Sequence, residues 1–217
     1  DPTTVSRTER DPVATTVIGL TGAPAAGKSA AAAALAAAGC EVVDADALGH
    51  AVLEGSEARA EIVAAFGRAV DGPDGLDRAA LARIAFADAT ALRRLEAIVH
   101  PRVRGEIARR VAAARRAGVR AVVLDAALLF ETGLAAECDV AISVDAPAGT
   151  RSARARSERG WVAGELERRE ARQLSAAEKR SRADHVIVNT SDVAALRSRV
   201  LELLDEVAPA APRADHP

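Results

Sequence analysis

The sequence predicts an α/β fold in which a five-stranded parallel sheet is flanked by helices. Three observations predict it. Segments 16–20, 41–43, 120–124, 140–144 and 185–188 are rich in β-branched residues and nearly continuous in apolar ones, the pattern of strands buried on both faces. Helical patterns lie between them, which makes the chain a series of βαβ units. The gap between the second and third segments is about 75 residues, far longer than one crossover helix needs, so a helical insertion belongs there.

The elements follow in order. A first helix runs over 28–38 and stops at Gly39 in the left-handed conformation. Within the insertion, Asp88 caps a helix carrying Leu92, Leu95 and Val99. Pro101, at a first helical position, starts another carrying Val103, Ile107 and Val111, which Gly118 ends. Segment 151–182 holds ten basic and five acidic residues with few large apolar side chains. It reads either as a solvated helical hairpin or as a basic lid over phosphates, and Ser175 to Glu178 fits a capping box under both readings. The last helix carries Val193, Leu196, Val200, Leu203 and Val207 at three- and four-residue spacing, with Ser191 or Asp192 as cap and Pro209 as terminator. Segments 1–14 and 209–217 read as tails.

Composition bounds the function. The 217 residues are 49% hydrophobic and 28% charged, enough for one domain with a real core. One Trp, three Phe and no Tyr leave little for base-stacking platforms, and a net charge of −2 offers no field for nucleic acid or membrane. Two distant cysteines argue against disulfides or a zinc site, and residues 1–11 show no secretory h-region, so a reducing cytoplasm is the expectation. Of 29 basic residues 27 are Arg, and Ala occurs 54 times, as a GC-rich genome would produce. Lys28 and Lys179 are the two lysines, and against that background a lysine at a special place is informative.

Lys28 falls in GAPAAGKS, a full match to G-x-x-x-x-G-K-[ST], directly after the first strand and before the first helix. Backbone N–H groups in such a turn cradle phosphate oxygens, and the helix N-terminus adds positive potential. Lys28 would reach the β- and γ-phosphates, and Ser29 would ligate Mg²⁺. Phosphate loops often carry Gly where Ala25 stands, so its Cβ is expected to strain the loop.

Three classes fit a phosphate loop: a small-molecule kinase, a GTPase and a nucleotide-binding protein without catalysis. A GTPase needs a guanine-reading N-K-x-D, and none follows a late strand. The D-x-x-G at Asp46 stands alone. A dinucleotide-binding dehydrogenase is excluded because no two glycines are separated by one residue. The second strand ends in Asp44-Ala45-Asp46, at the sheet edge where ligands bind. There a carboxylate activates an acceptor hydroxyl or, as the plainer alternative, Asp46 caps a helix. Asp125 closes the third strand and fits a Mg²⁺-shell carboxylate or a turn residue. His100 fits a substrate contact or a helix junction. Trp161 fits packing better than stacking on adenine, and Cys40 and Cys138 fit the core.

The set resembles the dephospho-CoA kinase family. The matching strings are GLTGAPAAGKS from Gly19, EVVDADALGH from Glu41, Phe66-Gly67, Leu76-Asp77-Arg78, Ile98-Val99-His100-Pro101 and VVLDAALLFETG from Val122, with Arg151, Arg154, Arg159, Gln173, Ala183-Asp184 and Asn189. They keep family order from about Val17 to Val207. The resemblance implies a phosphate-loop kinase core in one domain over 15–208, with a helical CoA-binding lobe at about 48–118 and a lid at about 150–182. It implies that ATP, with Mg²⁺, phosphorylates the ribose 3′-hydroxyl of dephospho-CoA to give coenzyme A and ADP. The catalytic set it implies is Asp46 as the activating base, Lys28, and Arg154 as the lid arginine. ATP binding falls on Gly22, Ala23, Pro24, Ala25, Ala26, Gly27, Lys28, Ser29, Ala30 and Asn189. Substrate binding falls on Asp44, Asp46, His100 and Asp125, and the metal on Ser29 and Asp125. The family usually has glycines at 23 and 25, Pro at 127, Arg at 50 and often Gln at 151, where this chain has Ala23, Ala25, Ala127, His50 and Arg151.

Overall fold

The computed structural model describes residues 15–190 and 192–209. The expected tail 1–14, all of the expected tail 209–217 except Pro209, and the alternative cap Ser191 lie outside them. Five parallel strands, β1 (Thr16–Gly22), β2 (Glu41–Asp44), β5 (Ala121–Asp125), β6 (Val140–Asp145) and β7 (His185–Val188), form one sheet in the order β2-β5-β1-β6-β7. All five expected strands are present. The three inner ones are buried on both faces, whereas the sheet edges are partly exposed: β7 at alternate residues, Val186 and Val188, and β2 at its two ends, Glu41 and Asp44. Since every strand runs the same way, their carboxyl ends share one rim, where ligands bind in open parallel sheets.

One face is covered by α1 (Lys28–Ala37) and α9 (Val193–Val207). Ile18, Leu20, Val123, Ile142 and Val144 meet Leu35, Leu196, Val200 and Leu204 there. Asp192 caps α9 by accepting the Ala195 N–H at 2.8 Å, and Gly39, at φ +85°, follows α1.

The other face packs Val17, Val122 and Leu124 against Val103, Ile107 and Val111 of α5 (Ala89–Arg116). The insertion consists of α2 (Ala45–Glu54), α3 (Ser56–Phe66), α4 (Arg78–Ala87) and the front half of α5, around Ile62, Val70 and Leu81. It also holds a hairpin of β3 (Asp71–Gly72) and β4 (Gly75–Leu76), which the sequence does not reveal because two-residue strands carry no period.

Pro101 does not start a helix. Asp88 caps α5 with hydrogen bonds from the Thr90 and Ala91 N–H groups, and the helix continues through Pro101 to Arg116. Proline normally breaks a helix interior because it lacks an N–H and crowds the preceding turn. Here both flanks are fixed by packing: Leu95 and Ile98 in the insertion core, Val103 and Ile107 against the sheet. The Arg102 guanidinium also donates to the Ile98 carbonyl at 2.8 Å, an added contact next to the Ala97 carbonyl that Pro101 leaves without its N–H.

Segment 151–182 is not a hairpin. It forms α6 (Ala148–Ser157), α7 (Glu165–Glu170) and α8 (Ala176–Arg182). Ser175 and Glu178 make the expected capping box at α8.

Candidate active site

The loop between β1 and α1 has the geometry its residue types allow. Gly22 has no room for a side chain, since a Cβ would stand 2.3 Å from the Val144 carbonyl oxygen. Gly27 lies at φ +110°, and a Cβ there would meet Asn189 Nδ2 at 2.4 Å. Ala25 adopts φ +61°, a left-handed conformation that costs an L-residue about 1–2 kcal/mol. Its methyl is buried in a small cluster with Ala155, Leu166 and the Trp161 ring, so the strain is offset by contact with the segment above the loop.

Carboxylates face this loop across the rim. Asp44 and Asp125 are register partners on β2 and β5. Lys28 Nζ is ion-paired with Asp125 Oδ1. Burial pushes the Asp125 carboxyl above its ordinary value; Lys28 opposes the shift, while the nearby Asp44 and Asp46 add to it. Asp44, not Asp46, caps α2, accepting the Ala47 N–H at 2.8 Å. Asp46 sits in the first helical turn with an exposed side chain. The strand ends two residues earlier than a cap at Asp46 requires, which leaves the Asp46 carboxylate out of the helix hydrogen bonding.

α6 brings Arg154 to the loop. Its guanidinium donates to the Ala26 carbonyl at 3.4 Å and to Asn189 Oδ1 at 3.3 Å, and Asn189 Nδ2 donates to the same Ala26 carbonyl at 2.8 Å. Arg159 reaches the Ser29 hydroxyl at 3.4 Å. Arg151 is ion-paired with Glu170 and donates to the Ala146 carbonyl. Trp161 packs against the cluster of Ala25, Ala155 and Leu166, with Arg169 and Arg159 over its ring, 4.5 and 5.4 Å from the centroid.

Beside the loop opens a cavity of about 690 Å³. α2 gives it Asp46, His50 and Leu53, and α5 gives Leu95, Val99, His100 and Arg104. Ala126 to Leu128 form its floor after β5, and Arg168, Arg169, Arg172 and Gln173 its far wall. His100 therefore faces the cavity from the middle of a continuous helix, and no helix junction exists there. Asp46 joins the cavity to the phosphate loop side of the rim. Asp44 is not among the lining residues.

Several polar groups at this rim are not evident in the sequence. Asp145, at the end of β6, accepts the Ala146 N–H and is ion-paired with Arg180. Lys179 is fully buried, and burial lowers the pKa of its ammonium against the pull of Glu131. The one signal for Lys179 in the sequence is the rarity of lysine.

A parallel sheet with a glycine-bounded loop at its central strand, a helical insertion and an arginine-bearing helical segment over that loop defines a phosphate-loop kinase fold. The sequence model of the dephospho-CoA kinase family matches residues 16–195. A dephospho-CoA kinase of Symbiobacterium thermophilum is 46% identical over 186 residues, covering 85% of this chain and 78% of that protein. One of Thermobifida fusca is 45% identical over 192 residues, covering 88% and 95%. A crystal structure of a Thermus thermophilus protein superposes with a TM-score of 0.76 at 36% identity, over 89% of this chain and 98% of that one. The fold is also that of the Campylobacter jejuni dephospho-CoA kinase, with a TM-score of 0.58 at 21% identity over 90% and 99%. The chain belongs to the dephospho-CoA kinase family.

Proposed function

We propose that this protein transfers the γ-phosphoryl group of ATP to the ribose 3′-hydroxyl of dephospho-CoA, giving coenzyme A and ADP. The observation that carries the reading is the cavity beside the phosphate loop. It joins an apolar wall of Leu53, Leu95 and Val99 to a basic wall of Arg104, Arg168, Arg169 and Arg172, with the Asp46 carboxylate between cavity and loop. An acceptor with a long arm of methylene, methyl and amide groups, a diphosphate and a ribose hydroxyl can use those three surfaces together.

The loop from Gly22 to Ala30 would hold the ATP phosphates through backbone N–H groups and the α1 N-terminus. Lys28, paired with Asp125 in this structure, would exchange that partner for the β- and γ-phosphates. Asp46 would take the proton of the 3′-hydroxyl as its oxygen attacks the γ-phosphorus and ADP departs. Arg154, already beside Ala26 and Asn189, would meet the charge on the transferring group, for which its planar fork is suited. The Ser29 hydroxyl and Asp125 carboxylate are the hard oxygen donors Mg²⁺ takes together with phosphate oxygens and water, so they would hold the ion. Bound there, Mg²⁺ would neutralise charge on the phosphates. His100 would contact the acceptor, α2 to α5 would form its binding lobe, and α6 to α8 the lid. We place the reaction in the cytoplasm, where ATP is abundant and the free Cys40 and Cys138 stay reduced. Among the described residues no helix is long and apolar enough to cross a membrane.

The test is coupled ADP release with ATP and Mg²⁺, comparing dephospho-CoA with adenosine, shikimate and gluconate. Release with dephospho-CoA alone is the expected result. Nucleotide binding without transfer to any acceptor would overturn the reading in favour of a non-catalytic nucleotide binder.

A further inference from the structure

Lys179 is a buried cation that the proposed chemistry does not use. Its side chain has 0% exposure, in a chain that otherwise places Arg at nearly every basic position. From α8 its Nζ donates to the Gly22 carbonyl at 3.3 Å, to the Ala127 carbonyl at 2.6 Å and to Gln173 Oε1. Glu131 Oε1 lies 3.8 Å away and accepts the Leu174 N–H at 2.7 Å.

The three acceptors belong to three different parts of the site. Gly22 begins the phosphate loop. Ala127 is two residues beyond Asp125, the partner of Lys28, and lines the cavity floor. Gln173 stands in the cavity wall, and its Nε2 donates to the Arg169 carbonyl at 3.1 Å, so its amide is fixed at both ends. A compact ammonium with three donors can bind three oxygens converging from different directions. A planar guanidinium of larger size would need them spread in one plane.

We propose that Lys179 is a positioning residue that sets the phosphate loop, the Asp125–Ala127 floor and the Gln173 wall in register, so that donor and acceptor phosphates and hydroxyl meet at reacting distance. Phosphoryl transfer depends on positioning more than on covalent chemistry, and a misplacement near 1 Å costs about a hundredfold. Loss of this register acts on kcat and leaves ground-state binding largely intact, because each half-site keeps its own contacts.

The proposal rests on the functional reading above, and its test separates the two. Lys179→Met removes the cation. The double variant Lys179→Met with Glu131→Gln removes the paired carboxylate as well, so that no uncompensated charge stays buried. Both are expected to lose at least tenfold in kcat at a temperature where each is folded, with KM for ATP and for dephospho-CoA within about threefold of the parent. The double variant is expected to have the higher thermal midpoint of the two, without regaining kcat. A double variant with parental kcat, a loss confined to KM, or failure of both variants to fold would overturn the proposal and leave Lys179 with stability alone. If the parent releases no ADP with dephospho-CoA, the functional reading fails. Hydrogen exchange then decides on Lys179. Faster exchange in both the 22–29 and 165–174 peptides of the double variant supports the register, and parental exchange in either overturns it.

Discussion

Asp44 and Asp46 lie two residues apart and have different chemistry available to them. Asp44 caps α2, and Asn caps nearly as well as Asp, so Asp44→Asn is expected to leave stability almost unchanged, while Asp44→Ala costs about 1 kcal/mol. Asp46 takes no part in the cap and lines the cavity. Asp46→Asn is expected to lower kcat by roughly a hundredfold or more with ATP affinity unchanged, which steady-state kinetics and nucleotide titration on one preparation would check. Asp125 differs again. Burial raises its pKa despite Lys28, so the folded chain binds its proton more tightly than the unfolded chain does. Its contribution to stability is therefore present below the ordinary value of 3.8 and is lost as pH rises through the raised one. At neutral pH the ionised carboxylate lowers stability. Asp125→Asn is expected to hold or raise the thermal midpoint at pH 7, with the difference vanishing toward pH 3.8, while kcat falls at least tenfold. A lower midpoint at pH 7 would show that the ion pair with Lys28 outweighs desolvation.

At the scale of elements, α5 carries both the insertion core and the sheet contact, and Pro101 lies between them. Pro101→Ala would restore the missing N–H in that turn and is expected to raise stability by about 1–3 kcal/mol. The same change should raise KM for dephospho-CoA, because His100 and Val99 face the cavity from this turn. Thermal melts and kinetics on one variant test both parts. The strands and outer helices were legible because their signals are local: apolar runs, caps at Asp88 and Asp192, and the box at Ser175. The continuity of α5 was not, since Pro101 obeys a local rule that packing on both flanks overrides. The cap at Asp44 was hidden because two carboxylates one residue apart from Ala45 satisfy the same pattern, and only the backbone at 44 decides. Lys179 is one of two lysines in the chain, but nothing local marks its place, because the convergence of Gly22, Ala127 and Gln173 upon it exists only in three dimensions.

For the whole molecule, the sheet and the segment over the phosphate loop are held by different amounts of contact. Ile18, Leu20, Val122, Val123 and Leu124 are fully or almost fully buried at the centre of the sheet. α6 and α7 meet the phosphate loop through Ala155, Leu166 and Trp161 against Ala25 and through guanidinium contacts longer than 3.2 Å from Arg154 and Arg159. Regions with few buried apolar contacts open at lower free energy than the core. Amides of 151–170 are therefore expected to exchange faster than those of β1 and β5. They should slow when an ATP analogue and dephospho-CoA bind together, because bound phosphates add charge-assisted contacts to the arginines over the loop. Trp161, the only tryptophan, reports the same event without a label. It packs against the cluster that holds Ala25 of the loop, so nucleotide alone should change its fluorescence. In Ala25→Gly, which removes the loop's methyl from that cluster, that change should shrink. Equal exchange with and without saturating ligands, together with silent Trp161 fluorescence, would mean that α6 to α8 are a static basic face and not a lid.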